Sequence, residues 1–291
     1  MDWKLIVSQT GVIFQGEAMS EQAKRAEAFH ELHQGPQVLV LPNAWDAASA
    51  ALMQDAGAPA VATSSAAVAW AHGYPDGDDL PTDKLIATLS EIARVISVPL
   101  TADIEGGYSD DLETLGRTIA QVIDAGAVGI NLEDGRRDPT LHARKVEAAR
   151  KAADRSGVKL FINARSDVVL KRLLEGEAAM QEMIRRAALY RDAGADGFFA
   201  PWVSEPEQIR TLTSSIALPL NIMGWPGVPP ASELQALGVR RVSSATHLFR
   251  AAFGPLKQAI ETYLRQGDVS SLAAAAEGLP NLNQRFASST T

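Results

Sequence analysis

The chain has 291 residues, 46% of them hydrophobic, which is enough for a sizeable buried core. A formal net charge of -8, with Lys and Arg only in short scattered clusters, argues against a nucleic-acid-binding surface. The chain has no cysteine, which excludes disulfides, zinc-thiolate sites and a thiol nucleophile or acid. No apolar run approaches the roughly 20 residues that span a bilayer, so we expect a soluble, cytoplasmic protein without membrane contacts.

The N-terminal segment lacks the contiguous apolar stretch and cleavage site of a signal peptide. We expect residues 1-19 to be a peripheral extension, or residues 1-18 to precede the true start of the protein. Residues 20-34 then form an amphipathic helix.

An internal repeat organises the rest of the chain. The sequence Asp-Ala-Gly-Ala recurs at 55-58, 124-127 and 192-195, where each copy ends a helix on a glycine and leads into a strand. Eight short apolar strands are predicted near 37-42, 60-64, 99-103, 128-132, 159-164, 197-200, 218-222 and 240-243. Helices are predicted between them and after the last, at 45-56, 82-96, 110-125, 140-156, 177-193, 204-214, 230-237 and 245-265.

Eight strand-helix units in this length predict an α/β fold of the (β/α)8 TIM-barrel class. A doubly wound sheet is the alternative, but no Gly-x-Gly-x-x-Gly follows the first strand. We expect one catalytic domain over 20-265, with the 20-34 helix covering the barrel floor. A C-terminal helical tail over 266-291 follows, frayed at its end.

Carboxylates follow two neighbouring predicted strands, where a TIM barrel carries its active site. Asp103 and Glu105 stand two residues apart, so on an extended backbone their side chains leave the same face. Glu133 ends the next strand. Three clustered acids repel one another unless a cation or a shared proton separates them, and Mg2+ prefers such oxygen ligands. The alternative is that each acid caps a helix.

Other strand ends carry candidate substrate ligands. Arg165 has the planar fork that binds carboxylate or phosphate, unless it pairs with a rim acid. Ser64 and Ser65 could offer hydroxyls and backbone N-H groups to an oxyanion, although serines are common at strand ends. The long glycine-rich loop at 70-79 could bring Asp76 to the water shell of a metal.

The remaining polar candidates are assigned structural or local roles. His72 and His247 are possible bases, but a lone histidine more often makes a local hydrogen bond. We expect the other three histidines, His30, His33 and His142, to be solvated on helix surfaces. Two further strand-end acids, Asp134 and Asp167, are expected to be structural.

Six motifs, in this order and spacing, resemble the isocitrate lyase and phosphoenolpyruvate mutase superfamily over about residues 42-253. They are Asn43-Ala44-Trp45-Asp46, Thr63-Ser64-Ser65, Gly73-Tyr74-Pro75-Asp76, Asp103-Ile104-Glu105-Gly106-Gly107-Tyr108, Asn131-Leu132-Glu133-Asp134 and Asn163-Ala164-Arg165-Ser166-Asp167.

The resemblance implies an enzyme of the oxo-acid-lyase type that depends on Mg2+, or on Mn2+, and acts on 2-oxo or 2-hydroxy acids. It also implies a homotetramer, a dimer of dimers, in which a C-terminal helix is exchanged between subunits. Asp103 would bind the metal directly, while the other acids hold metal-bound waters: Asp76, Glu105 and Glu133. The substrate would be bound by Ser64, Ser65, Trp45, Arg165 and Asn221.

The sequence departs from that family where the lyases carry a mobile lid. Their Lys-Lys/Arg-Cys-Gly-His motif supplies the catalytic acid, whereas this chain reads Gly135-Arg136-Arg137-Asp138-Pro139. The mutase gating loop is also missing, and Pro201 stands at the position of the mutase histidine.

The retained residues predict binding of a 2-oxo acid on Mg2+ and stabilisation of an enolate. We favour carbon-carbon cleavage of a 2-hydroxy or 2-oxo (di)carboxylic acid, with Arg165, Glu133 and Tyr108 as catalytic residues. Tyr108, a metal-bound water or the 135-139 loop would supply the proton. The alternatives are oxaloacetate-type decarboxylation or hydrolysis, phosphonopyruvate-type carbon-phosphorus cleavage, and a non-catalytic oxo-acid binding protein.

Overall fold

The computed structural model describes residues 19-287. The predicted extension over residues 1-18 and the frayed end at 288-291 lie outside the described residues.

The sheet contains nine parallel segments, which together make eight barrel strands. The segments are β1 (Leu39–Leu41), β2 (Asn43–Ala44), β3 (Val61–Thr63), β4 (Leu100–Asp103), β5 (Gly129–Glu133), β6 (Phe161–Arg165), β7 (Gly197–Ala200), β8 (Leu220–Met223) and β9 (Arg241–Ser243).

The first strand is divided into β1 and β2 at Pro42, which has no N-H to donate. β1 pairs with β9 and β2 pairs with β3, so the two halves of one strand join the two ends of the sheet. The Pro42 carbonyl still accepts the N-H of Ala62 at 2.9 Å. The predicted (β/α)8 barrel is therefore confirmed.

Helices follow the strands as predicted, with boundaries shifted by at most two residues. They are α1 (Glu21–Gln34), α2 (Ala47–Asp55), α3 (Ser65–Ala71), α4 (Thr82–Val95), α5 (Leu112–Asp124), α6 (Pro139–Ser156), α7 (Gly176–Asp192), α8 (Pro206–Ser215), α9 (Ala231–Ala236), α10 (His247–Gln266), α11 (Ser270–Ala275) and α12 (Leu282–Ala287). The sequence analysis did not predict α3, and it did not separate α11 from α12 within the helical tail. Across residues 19-287, no helix is both long and apolar enough to cross a membrane.

Helix α1 packs against the N-terminal end of β6, at the barrel floor. Phe29 meets the ring of Phe161 edge to face at 5.5 Å, and His33 stacks on the same ring at 3.9 Å. His30 Nε2 lies 3.1 Å from the carbonyl of Lys159. The expected floor position of this helix is therefore confirmed.

The prediction that three histidines are solvated is wrong. His30, His33 and His142 are all buried. The first two face the barrel floor, and His142 packs against Tyr190 between α6 and α7. A helical pattern in the sequence does not show which polar residues the neighbouring elements cover.

Candidate active site

Asp103, the last residue of β4, is buried at the C-terminal rim of the barrel. Its N-H donates to Thr63 Oγ1 at 2.9 Å, which fixes the backbone against β3. Its carboxylate accepts the N-H of Glu105 at 3.3 Å and the backbone N-H of Ser65. Burial raises the pKa of Asp103, and the positive charge of Arg165 only partly opposes this. A cation next to this carboxylate would therefore stabilise its ionised form.

Glu105 is held by the loop that follows α3. Its Oε2 accepts the backbone N-H groups of Gly77, at 2.7 Å, and Asp78, while Oε1 accepts the hydroxyl of Tyr108 at 3.2 Å. Burial raises the pKa of Glu105 to about 7 despite these donors. Burial and the neighbouring Glu105 also raise the pKa of Tyr108, so its hydroxyl keeps its proton.

The backbone at this turn adopts an unusual conformation. Glu105 and Tyr108 have φ angles of 53° and 59°, in the left-handed region that non-glycine residues rarely adopt. Such strain persists only where the surroundings fix it, and it is concentrated at functional sites. The strand pattern predicted side chains on one extended face, but the left-handed turn at Glu105 redirects its carboxylate toward the 76-79 loop.

Glu133 and Arg165 form an ion pair across adjacent strands. They are register partners in β5 and β6, and Arg165 Nη1 lies 2.7 Å from Glu133 Oε2. The other side of the guanidinium donates to Asp167, with Nε 2.7 Å from Oδ1. Burial raises the pKa of Glu133, with Arg165 opposing. The ion pairing considered as an alternative for Arg165 is thus present, and it leaves Arg165 at the rim beside Asp103.

Asp134 has the structural role predicted for it. Its Oδ2 accepts from Arg186 Nη1 and from the hydroxyl of Tyr190, each at 2.7 Å, and its Oδ1 accepts the N-H of Asp167 at 2.8 Å. This buried network ties α7 to the ends of β5 and β6. Asp167 is partly structural too, because it orients Arg165.

The predicted oxyanion serines have other partners in this structure. Ser64 caps α3, with its Oγ accepting the N-H of Ala67 at 3.4 Å, and the N-H of Ser65 serves Asp103. Both serines are buried at the rim beside Asp103. Helix capping, which was the alternative role for the strand-end acids, is therefore the role of Ser64 in this structure.

Two further predicted substrate residues lie in or directly after strands of the barrel that are separated only by β9. Trp45 follows β2 and meets Phe249 edge to face at 5.2 Å. Asn221 is buried in β8, where its Nδ2 lies 3.4 Å from Ser243 Oγ. Asn221 Oδ1 has no hydrogen-bond partner among residues 19-287.

Metal binding would depend chiefly on one carboxylate. Within residues 19-287 no group of three Asp, Glu or His side chains is already arranged as a ligand cage. Asp76 is exposed, but its charge raises the pKa of Asp103, Glu105 and Glu133, so it lies near all three. This donor set fits Mg2+, which keeps several waters and takes only one or two carboxylates.

The arrangement of strand ends agrees with the comparison to known proteins. A model of the phosphoenolpyruvate phosphomutase family matches residues 29–264. The chain belongs to this family. The predicted membership in the isocitrate lyase and phosphoenolpyruvate mutase superfamily is confirmed, and so is the prediction of a lyase-type enzyme of that superfamily.

Individual relatives carry different names. A candidate phosphonomutase from Burkholderia cenocepacia, known from a crystal structure, is 40% identical, with a TM-score of 0.79 over 82% of this chain and 99% of its own. An uncharacterised Mycobacterium tuberculosis protein is 36% identical over 223 residues, 75% of this chain and 82% of its own. A 2-methylisocitrate lyase of Bacillus subtilis is 27% identical over 250 residues, 80% of this chain and 79% of its own.

In this family member, Asp78 and Arg137 organise the rim, and the sequence analysis missed both. Asp78 Oδ1 accepts the N-H groups of Gly106 and Tyr108, each at 3.1 Å, and its Oδ2 lies 2.9 Å from Arg137 Nη2. Arg137 Nε also donates to Asp110 at 2.7 Å. A β-carbon on Gly106 would lie 2.3 Å from the guanidinium, so a larger residue here would require Arg137 to move from its ion pairs. The acid-rich loop at 76-79 was the available signal for Asp78.

The barrel interior contains a second group that the sequence did not reveal. Arg241 is fully buried, and its Nη2 donates to Asn131 Oδ1 at 3.1 Å, which also accepts from Asn163 at 2.9 Å. Burial lowers the pKa of Arg241 to about 9, opposed by the charge of Asp103. This interior cation lies below the rim and adds a positive field to the Asp103 site.

Proposed function

We propose that this enzyme is a Mg2+-dependent lyase that cleaves a carbon-carbon bond of a small 2-hydroxy or 2-oxo (di)carboxylic acid through an enolate. The cation could also be Mn2+, which accepts the same oxygen ligands.

The arrangement around Asp103 carries the proposal. Asp103 is buried with a raised pKa, and three further carboxylates lie near it, yet the nearby Arg165 is already shared between Glu133 and Asp167. A divalent cation would relieve this repulsion. Asp103 would bind it directly, while the other acids hold its water shell: Asp76, Glu105 and Glu133.

Each candidate site residue has a distinct role in this proposal. When bound, the cation supplies positive charge that stabilises the oxyanion developing in the transition state. Ser64, Ser65 and Trp45 bind the oxo-acid head, and Arg165 binds an anionic group of the substrate once it turns from its carboxylate partners. Asn221, with its unpartnered Oδ1, contacts the distal part of the substrate.

Tyr108 is the proposed proton donor. Its hydroxyl stays protonated because burial and Glu105 raise its pKa, and its hydrogen bond to Glu105 Oε1 connects it to a carboxylate that can exchange protons near neutral pH. Glu133 would accept or return a proton on the other side of the site. With five residues, 134-138, between β5 and α6, no long lid covers this region.

A substrate panel tests the activity. We expect Mg2+ to support release of pyruvate or glyoxylate from at least one 2-hydroxy or 2-oxo acid, and EDTA to stop it. Binding without turnover across the panel would contradict the lyase proposal. Turnover of phosphonopyruvate alone would instead favour carbon-phosphorus cleavage, the second candidate, which the candidate phosphonomutase relative supports.

Asp103→Ala tests the metal assignment. We expect loss of Mg2+ binding by calorimetry and a fall in kcat/KM of at least about 1000-fold, because the cation contributes several kcal/mol of charge stabilisation. The matched control is Asp124→Asn, an exposed acid at the floor end of α5. Normal Mg2+ affinity and activity in Asp103→Ala would refute the assignment.

We also propose that the enzyme is a homo-oligomer, a dimer of dimers, in which α10 is exchanged between subunits. An apolar groove of about 880 Å3 lies outside β1 and β9 and is lined by residues such as Val40, Leu52, Met53, Val242 and Leu248. Val40, on the first strand, is 56% exposed. In a closed barrel the helix after the last strand ordinarily covers this face.

Helix α10 offers a matching surface. Its exposed apolar side chains recur every three or four residues and form one stripe: Phe253, Leu256, Ile260 and Tyr263. A stripe and a groove of this kind on one chain favour α10 of a second copy as the occupant of the groove. A cytoplasmic location stays a prediction from the sequence.

A further inference from the structure

Trp202 stands in a conformation that suits glycine better than tryptophan. It follows β7 with a φ of 64°, in the left-handed region, and it remains 43% exposed. A bulky residue in this region is strained. Such strain in the backbone persists only where contacts of the residue stabilise it.

The ring of Trp202 belongs to an aromatic wall, which we define as Trp202, Trp225 and His247. The two indoles lie 4.4 Å apart, and Trp225 meets His247 edge to face at 5.3 Å. These residues follow β7, β8 and β9, so three successive strand ends contribute to one side of the barrel mouth. Trp225 packs against the strained Trp202 in a tilted contact that leaves part of both indoles exposed.

Strand β7 connects the wall to the candidate active site along the chain. Phe199 is the register partner of Arg165, and the guanidinium carbon lies 5.6 Å from the centre of its ring. Phe199 precedes Trp202 by three residues, and the next strand brings Asn221 opposite Phe199. Strand β7 therefore leads from Phe199, which is buried against Arg165, to Trp202 at the barrel mouth.

A cavity of about 400 Å3 lies against Trp202, between the connections that follow β6 and β7. Apolar side chains contribute much of its lining: Val169, Leu170, Leu174 and Met180. The charged residues in its lining, Arg172 and Glu175, have opposite signs, so the cavity has no net preference for an anion.

We propose that this cavity and the aromatic wall bind an aryl or branched-alkyl substituent on the distal carbon of the substrate. The inference rests on the function proposed above and narrows its substrate class to 2-oxo or 2-hydroxy acids with a bulky apolar tail. In the cavity lining the charge of Arg172 is offset by Glu175, so a second carboxylate gains little there, whereas an apolar group gains contact with indole and aliphatic side chains.

Calorimetry with Mg2+ and three probes separates the head-group site from the tail subsite. Oxalate tests the head alone, 2-oxobutanoate adds a short alkyl tail, and 2-oxo-4-phenylbutanoate adds a phenyl ring to that tail. We expect the phenyl compound to bind at least about tenfold more tightly than 2-oxobutanoate, the gain of one stacked and buried ring. Oxalate affinity measures the head-group site independently.

Variants of the wall locate the gain. Trp202→Gly, in which glycine suits the positive φ, and Trp225→Ala should lose the phenyl gain but bind oxalate within about twofold of the wild type. Trp202→Phe should keep most of the gain. Trp70→Phe is the matched control, because Trp70 is 37% exposed but packs against Phe249 outside the wall.

Each outcome has a defined meaning. Failure of oxalate to bind with Mg2+ would overturn the proposed function itself. Oxalate binding without a phenyl gain in the wild type, or a gain that persists in both Trp202→Gly and Trp225→Ala, would overturn only the tail subsite. Loss of the native oligomer in these variants, with no phenyl gain in the wild type, would identify the wall as a subunit contact instead.

Discussion

The buried histidines make this fold sensitive to acid at the scale of single residues. Burial lowers the pKa of both His33 and His142 to about 3. Positive neighbours add to this effect, Arg241 for His33 and Lys145 for His142. Neither ring nitrogen of His142 has a hydrogen-bond partner among residues 19-287, so the neutral ring behaves as a packed aromatic group against Tyr190.

These two histidines should therefore each lower the stability as the pH drops below about 6.5, the pKa of an unfolded histidine, whereas the raised pKa values of Glu105 and Glu133 act in the opposite direction. The unfolded chain takes up a proton there, whereas the folded chain does so only near pH 3, so acid favours unfolding across this window. From pH 6.5 to 5, each histidine is expected to cost about 2 kcal/mol of unfolding free energy. Urea unfolding at pH 7 and 5 gives the net change, from which the contribution of a histidine is separated by substitution.

His142→Phe isolates one contribution. Phenylalanine keeps the ring against Tyr190 but cannot take up a proton, so the variant should lose about 2 kcal/mol less than the wild type between pH 7 and 5. A pH dependence equal to that of the wild type would show that His142 does not couple protonation to folding.

At the scale of elements, ion pairs join three connections at the rim to one another. Arg137, after β5, is paired with Asp78 in the loop after α3 and with Asp110 in the loop after β4, and Asp110 is also paired with Lys145 of α6. Asp78 in turn holds the backbone of the turn that carries Glu105. The connection at which the resemblance implies a mobile lid in lyases is here a short clamp.

Removing the clamp should loosen the metal site. For Arg137→Met we expect about tenfold weaker Mg2+ binding by calorimetry, because Asp78 no longer holds the Gly106 and Tyr108 backbone in place. The partly exposed ion pairs should contribute only about 1 kcal/mol to folding. Arg136→Met is the matched control, since Arg136 donates to the Lys171 carbonyl away from Asp78. Equal Mg2+ affinity in both variants would contradict this role.

These elements also show what the sequence can and cannot predict. The eight strands were recognisable because each is a short apolar run preceded by a turn and followed by polar residues. Helix α3 was missed because its alanine-rich segment runs into Gly73 and Pro75 and reads as a loop. The Arg137-Asp78 pair joins positions 59 residues apart, and no local pattern specifies such a pairing. The strand-end positions indicated Asp103 and Arg165, and the family resemblance implied their roles, but neither identified Asp78 or Arg137.

At the scale of the whole molecule, the exposed apolar stripe of α10 bears on how copies of the chain assemble. A helix of 20 residues with an apolar stripe, beside a barrel face that lacks its cover, is consistent with exchange of α10 between two copies. The base of this helix is anchored by Phe249, which packs on Trp45 and Trp70. The proposed interface therefore begins directly beside the barrel mouth.

Charging the stripe should dissociate the assembly. The double variant Leu256→Asp/Ile260→Asp places two carboxylates in the proposed interface, so light scattering after size exclusion should give the mass of a smaller assembly or a single chain. Leu279→Asp, at a position 55% exposed outside α10, is the control and should keep the native mass. An unchanged mass for the double variant would exclude α10 exchange as the basis of the oligomer.

The distribution of tryptophan gives the molecule a built-in optical reporter. All four tryptophans within residues 19-287 lie toward the mouth: Trp45, Trp70, Trp202 and Trp225. Helix α1 and the barrel floor contain none. Ultraviolet fluorescence from these indoles will consequently record events at the mouth, whereas local fraying of the floor will leave it nearly unchanged and must be followed by hydrogen exchange.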